Sequence, residues 1–231
     1  MNTFNMNSPP TLSVVIPTLN AARTLPATLA ALRGGVDDIV VADGGSSDDT
    51  VDIARVGGAT VAVSERGRGI QLRTGAEAAA CDWLLFIHAD TRLQESWRHQ
   101  VEDFAADPDN RHRAAVFAFA LDDASAPARR VEKLVAWRCR LLGLPYGDQG
   151  LLISRAHYDA LGGFRPMPLM EDVDIVRRIG KKNLTVLSAK AVTSAERYRR
   201  DGWWRRPVRN LLCLFLYFTG VPPRILENIY R

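Results

Sequence analysis

The sequence predicts an α/β protein built on one mostly parallel sheet flanked by helices. Three observations carry that reading. Short apolar runs rich in Val and Ile recur through the first ninety residues. Segments with apolar residues at helical spacing stand between them. Glycine pairs and prolines mark the changes from one to the other.

Leu12–Ile16 reads as the first strand, stopped by Pro17. Leu25, Leu29 and Leu32 then recur at helical spacing, with Thr24 as cap, Pro26 in the first turn and Gly34-Gly35 at the end. Ile39–Ala42 is a second buried strand. A helix opens in the acidic, hydroxyl-rich Ser46–Asp49 and stops at Gly57-Gly58. Thr60–Val63 is a third strand, Gly69–Ala80 a helix and Trp83–Ile87 a fourth strand. The second half is less regular. Phe117, Phe119 and Leu121 alternate as a half-buried strand would, Arg129–Leu142 reads as helix, Gly150–Ser154 as strand and Glu171–Ile179 as a short helix.

No Pro/Ser-rich linker divides the 231 residues, so a single domain is expected over 11–195. A nucleotide half (about 11–93) and an acceptor half (about 94–195) make it up. Residues 1–10 lack the basic start and apolar run of a signal peptide and read as a disordered lead. Three widely spaced cysteines without a CxxC pair argue against a zinc site or disulfide framework and fit a reducing, cytoplasmic setting.

The net charge of +4 is uneven: eight arginines face three acids between Glu196 and Arg231, leaving the body near neutral. Residues 196–231 form a basic-apolar tail. Its run Leu211–Phe218 is too short to span a bilayer, and with Trp203-Trp204 and the arginines it fits a helix lying on an anionic membrane surface. Such a tail suits a peripheral place on the inner face of the plasma membrane and a lipid-linked acceptor such as a polyprenyl phosphate. Burial against the body or in a homodimer is the competing reading. The body shows no basic stripe or nucleic-acid motif, so no nucleic-acid partner is expected.

In a doubly wound sheet, ligands bind at the carboxyl ends of the strands. Pro17-Thr18-Leu19-Asn20, Asp43-Gly44-Gly45-Ser46 and His88-Ala89-Asp90 follow the first, second and fourth strands, so all three clusters should meet at one rim. Asp43 before two glycines suits a tight turn whose carboxylate meets a ribose hydroxyl or base N–H; capping the next helix is the plainer alternative, for which Asp48 is better placed. Asp90 ends a wholly apolar strand, where a divalent cation would offset its burial; solvent or a neighbouring arginine is the other outcome. His88 could join it as a ligand or pack as a hydrogen-bonded histidine. Arg66, Arg68 and Arg73 around Gly67 and Gly69 make a basic turn able to meet a diphosphate, though neither GxxxxGK[ST] nor GxGxxG is present. Glu171, Asp172 and Asp174 complement a helix N-terminus, with Asp174 and Arg178 as an i,i+4 pair. One of these acids could instead serve as general base.

Together, Ser13–Asn20, Ile39–Thr50, His88-Ala89-Asp90 and Glu171-Asp172 resemble the family 2 glycosyltransferases of GT-A (Rossmann-like) fold. Tyr146-Gly147-Asp148-Gln149-Gly150 and Met170-Glu171-Asp172 are similar to those of a short-form subgroup. The resemblance implies an inverting, Mg²⁺- or Mn²⁺-assisted transfer from a nucleotide sugar. Pro17, Thr18, Asn20, Asp43 and Arg68 would meet the donor. Asp90, with His88 in place of a first acid, would hold the metal. Asp172 would be the base with Glu171 beside it, and Asp148 and Gln149 would orient the acceptor. Gly44 stands where a second acid is common. A nucleotidyltransferase would need a basic Gly-rich loop after the first strand, which Pro17–Asn20 is not; a non-catalytic nucleotide-binding protein would not need Asp43, Asp90 and Asp172 together.

Overall fold

The computed structural model describes residues 10–230, so the expected lead over 1–10 lies outside them except for Pro10. The strands are β1 (Leu12–Thr18), β2 (Asp38–Asp43), β3 (Thr60–Val63), β4 (Trp83–Phe86), β5 (Thr91–Leu93), β6 (Ala114–Leu121), β7 (Leu151–Ser154) and β8 (Leu184–Thr193). They form one sheet in the order β3-β2-β1-β4-β7-β6-β8-β5. β7 is antiparallel to both neighbours and β5 to β8; every other pairing is parallel. The carboxyl ends of β1, β2, β4, β6 and β8 therefore share one rim, and the turn entering β7 reaches it from the other direction.

Alternation along the strands sends side chains to two cores. Val14, Ile16, Val41 and Leu85 pack with α1 (Leu25–Leu32), α2 (Thr50–Val56) and, through Trp97 and Val101, α4 (Trp97–Ala106). Val15, Val40, Leu84 and Phe86 pack with α3 (Arg68–Ala78), α6 (Arg155–Ala160) and α7 (Glu171–Ile179). Each such fully buried aliphatic side chain contributes about 1.5–3 kcal/mol. α3 lies so close to β1 that a Cβ on Gly75 would stand 2.4 Å from Val15 Cγ1. A smaller cluster joins Phe119 and Leu121 to α5 (Ala126–Leu142) and Tyr198.

The four N-terminal strands and their helices stand as the sequence predicts, within a few residues. Four features differ. Pro17 lies inside β1, opposite Ala42 of β2; pairing with β4 has already ended at Val15, so that side of Pro17 has no strand partner needing its N–H. β6 is buried along nearly all its length rather than half-buried, because alanines fill its alternate positions. β5 and β8 escaped notice: one has three residues, and the other carries Ser188, Ala189 and Lys190 where an apolar run would signal a strand. The tail folds as three helices, α8 (Glu196–Asp201), α9 (Arg205–Phe218) and α10 (Pro223–Tyr230). Pro223 opens a helix where its fixed φ suits a first turn. Cys213, Leu214 and Leu226 enter the core beside α7, while the opposite face of α9 stays exposed.

Candidate active site

Two loops are pinned together at the ends of β1 and β2. Asp43 is 2% exposed, and its carboxylate accepts hydrogen bonds from Thr18 Oγ1 (3.0 Å), Gly45 N (3.0 Å), Ser46 N (2.8 Å) and Ser46 Oγ. Burial pushes its pKa up, but the bonds from Ser46, Thr18 and Gly45 outweigh that and hold it below the usual carboxylate range. Asn20, with a left-handed φ of 51°, accepts Ser47 N through its side chain and donates its own N–H to Ser46 Oγ. Asp48 accepts the N–H of Thr50 at the start of α2, although the residue at the helix cap is Asp49, which makes no side-chain cap bond. Beneath the loops, buried Gln71 donates from Nε2 to the carbonyls of Thr18 (2.6 Å) and Ala42 (3.1 Å), fixing the spacing of the two strand ends.

A cleft of about 740 Å³ opens above these strand ends, bounded by Pro17–Asn20, Arg66–Arg68 and His88–Asp90. It continues into a tighter compartment of about 80 Å³, lined by Asp148, Glu171, Asp172 and the tail residues Arg206 and Asn210. Arg68, His88, Asp90, Arg197 and Tyr230 border both.

The tight compartment is rich in carboxylates. Asp172 Oδ2 accepts the N–H of Gly147 at 2.8 Å. Glu171 is 1% exposed, lies 3.6 Å from Arg68 Nε, and has no hydrogen bond to either carboxylate oxygen. Burial, partly opposed by Arg68, lifts its pKa to about 7. Asp148 also keeps a buried oxygen without a partner, and burial pushes it up to about 6. For His88, burial first and then Arg68 and Arg197 hold the pKa well below the usual histidine value, so the ring is neutral. Met170, just before α7, takes a left-handed φ of 68° while its side chain is buried. For a non-glycine residue this is a strained conformation of the kind that clusters at functional sites.

Pro17, Thr18, Asn20, Arg68, His88, Asp90, Asp148, Glu171 and Asp172 thus share one continuous cleft. Asp43 does not line it; it lies beneath the loop it organises. Gln149 belongs to the core: it is 2% exposed, accepts the Cys139 thiol at 3.0 Å and donates to Phe117 O. Residue 148 faces the cleft and its neighbour faces away, so the expected acceptor role does not fit Gln149. Arg73 pairs with Glu77 on the exposed side of α3. Asp174 pairs with Arg178, as the spacing predicts, and also with Arg165. Sequence reasoning missed Gln71, Arg197, Arg206 and Tyr230. A buried glutamine in a helix gives no local signal, and the other three belong to a tail that only folding returns to the rim.

The glycosyl transferase family 2 model matches residues 13–140, more than half of the chain. A PGL/p-HBAD biosynthesis glycosyltransferase of Mycobacterium bovis is 36% identical over 97 residues, 38% of this chain and 38% of that protein. An uncharacterized glycosyltransferase of Mycobacterium tuberculosis is 41% identical over 80 residues, 34% of this chain and 36% of its own length. Both matches thus span well under half of the relatives. Among solved structures, glucosyl-3-phosphoglycerate synthase from Mycobacterium tuberculosis, in complex with Mn²⁺, UDP and phosphoglyceric acid, superposes with a TM-score of 0.62. The identity is 21%, over 92% of this chain and 80% of that one. The same enzyme with Mn²⁺, UDP-glucose and phosphoglyceric acid gives 0.61 at 21% identity, covering 92% and 81%. With the family model spanning both pinned loops and the Asp90 turn, and with the sheet matching these neighbours, the chain belongs to glycosyl transferase family 2 and has the GT-A fold.

Proposed function

We propose that this protein transfers a sugar, with inversion, from a nucleoside-diphosphate sugar to a hydroxyl or phosphate acceptor. The observation that carries the reading is the convergence of Asp90, Arg68 and Asp172 on one cleft at the carboxyl rim of the sheet. The larger compartment suits the nucleotide, with Pro17, Thr18 and Asn20 as its wall and Asp43 shaping that wall from below. The tighter compartment suits the acceptor, with Asp148 beside it.

Asp172 is the proposed base. It takes the proton of the acceptor hydroxyl as that oxygen attacks the anomeric carbon and the bond to the diphosphate breaks. The N–H of Gly147 keeps one of its oxygens oriented. Arg68 and Arg197, bordering both compartments, face the charge that grows on the leaving diphosphate. Glu171 holds Arg68 in place.

The donor set fits a Mg²⁺ or Mn²⁺ ion. Asp90 borders the cleft, and buried carboxylate oxygens of Glu171 and Asp148 lack partners. Among the described residues no three acids, histidines or cysteines form a ready cage. Asp90 would therefore hold the ion with His88 beside it, leaving the remaining positions for diphosphate and water, as hard cations prefer. Such an ion would offset the leaving group's charge.

The test is incubation with UDP-, GDP- and dTDP-sugars and Mn²⁺ or Mg²⁺, with and without candidate acceptors. Release of nucleoside diphosphate and an inverted anomeric centre in the product are expected. Pyrophosphate as the product would assign the protein to nucleotidyl transfer instead, and binding without turnover across the panel would make it a nucleotide-binding protein.

A further inference from the structure

We propose that the outer surface of α5 and α9 together docks this protein onto an anionic lipid bilayer. α9 has two unlike faces. The inner one sends Cys213 and Leu214 into the core and Arg206 and Asn210 to the cleft. The outer one carries Val208, Leu212, Phe215 and Phe218, all exposed, continued by Trp204 at its cap; Trp204 is 70% and Phe215 63% exposed. α5 repeats the pattern: Leu134, Trp137 and Leu141 fall at i, i+3 and i+7, with Trp137 57% exposed.

One contact links the two stripes directly, and at the other end both helices meet the end of α7. The guanidinium of Arg130 on α5 sits over the Trp204 ring, 6.0 Å from its centre, where α9 begins. At the far end, Lys181 donates from Nζ to Leu141 O at 2.9 Å, while Arg177, in the last turn of α7, stacks 4.9 Å from the Phe218 ring. α5 and α9 thus start beside each other and both finish against the end of α7. Scattered exposed apolar residues are ordinary; a continuous aromatic and aliphatic strip is a contact surface.

Charge selects the occupant. Arg129 pairs with Glu132, Arg138 is buried, and Arg206 and Arg209 pair with Asp201, which leaves Arg130, Lys133, Arg140 and Arg205 as the basic residues beside the strip. Lys133, Arg140 and Arg205 are exposed. A second copy docking through the same surface would bring like charges together, because a two-fold contact pairs a patch with itself. Anionic headgroups complement them, and the aromatic stripe suits the interfacial depth. No described helix is long and apolar enough to cross a membrane, so the pair would lie in the plane of the interface. The sequence alone points only to the tail; α5 is the part that the tertiary structure adds.

Vesicle flotation tests this without any sugar donor, so its outcome is independent of the proposed transfer. The full chain should float with mixed phosphatidylglycerol–phosphatidylcholine vesicles at low salt, and weakly with phosphatidylcholine alone. Trp137→Ser/Leu141→Ser on α5 and Leu212→Ser/Phe215→Ser on α9 should each lower the partition coefficient about tenfold. Circular dichroism should stay unchanged, since these side chains are exposed. An α5 variant that floats like the wild type would overturn the two-helix surface. A wild-type protein that stays off the vesicles overturns the proposal; if it is then a dimer that Leu212→Ser/Phe215→Ser splits into monomers, the surface belongs to a second copy.

Discussion

The carboxylate of Asp172 accepts the backbone N–H of Gly147 at 2.8 Å, tying the first turn of α7 to the turn that enters β7. A Cβ on Gly147 would stand 2.8 Å from His88 Nε2 and 3.5 Å from Asp172 Oδ2. The bare backbone of residue 147 therefore sets the distance between the proposed base and the Asp90 turn. Gly147→Ala is expected to lower kcat about 10²-fold, the scale on which small misplacements act, with donor affinity changed far less. Single-turnover rates alongside donor titration would check it; unaltered kcat would show that the turn yields without cost.

Asp172→Asn keeps an oxygen to accept the Gly147 N–H but cannot take a proton. Loss of a general base costs about 10²–10⁴-fold in rate, so kcat should fall within that range while donor affinity and thermal stability stay near wild type. Near-normal turnover in a folded variant would move the base to Glu171.

Asp90→Ala should remove the dependence of nucleoside-diphosphate affinity on Mn²⁺ while the fold persists, because Asp90 lies beyond the buried part of β4 and lines the cleft. Calorimetric titration with and without Mn²⁺ decides this. A variant that still gains affinity from the ion would place the metal on other carboxylates.

Gln71 supports both strand ends under the donor cleft. Gln71→Leu leaves the buried carbonyls of Thr18 and Ala42 without this donor and should destabilise the fold by about 1–3 kcal/mol. Urea unfolding should show a lower midpoint with the same slope. The KM for the donor should also rise as Pro17–Asn20 loosens; a variant with wild-type stability would mean that other donors reach these carbonyls.

Glu171 and Asp148 should contribute a loss of stability between about pH 5 and pH 7 in the absence of divalent cations, opposed by His88 and His157, which are held below the usual histidine value. Burial lifts Glu171 to about 7 and Asp148 to about 6, against roughly 4 for either in an unfolded chain. Over that window the folded protein holds protons that the unfolded chain has released, so the favourable contribution is complete at low pH and is lost as pH rises through the folded values. Asp43, held low by its hydrogen bonds, acts in the opposite sense and only in more acidic solution. Thermal melts across pH should show Glu171→Gln/Asp148→Asn gaining Tm relative to the wild type as pH rises from about 5 to 7. A Tm difference between the two that stays constant over that range would contradict this.

The parallel half of the fold was legible because each of its elements carries a strong local signal. Leu12–Thr18, Asp38–Asp43 and Trp83–Phe86 are largely buried on both faces and so carry short, mostly apolar runs. β8 was not legible, since small residues, a lysine and a register shift opposite Phe117 replace that signal. The site divides in the same way. Asp90, Glu171 and Asp172 lie at element ends, where periodicity stops and polar residues begin. Arg197 and Tyr230 follow no such boundary in the sequence.

Hydrophobic periodicity and strand-end motifs are properties of short segments, so the fold class, the rim at which the polar clusters gather and the family are all readable along the chain. Tertiary structure alone decided which side chains face the cleft. Asp148 faces it and Gln149 does not; Asp90 borders it while Asp43 is buried by four hydrogen bonds within its own loops. One step along the chain reverses a side chain's direction, and which direction faces ligand depends on the elements packed on either side. The return of α9 and α10, which brings Arg206 and Tyr230 over strand ends more than a hundred residues away, is set by burial of Cys213, Leu214 and Leu226 in the core that includes α7, whereas Arg197 follows directly from the end of β8. The apolar run Leu211–Phe218 is readable in the sequence, but nothing local to it names α7 as its partner.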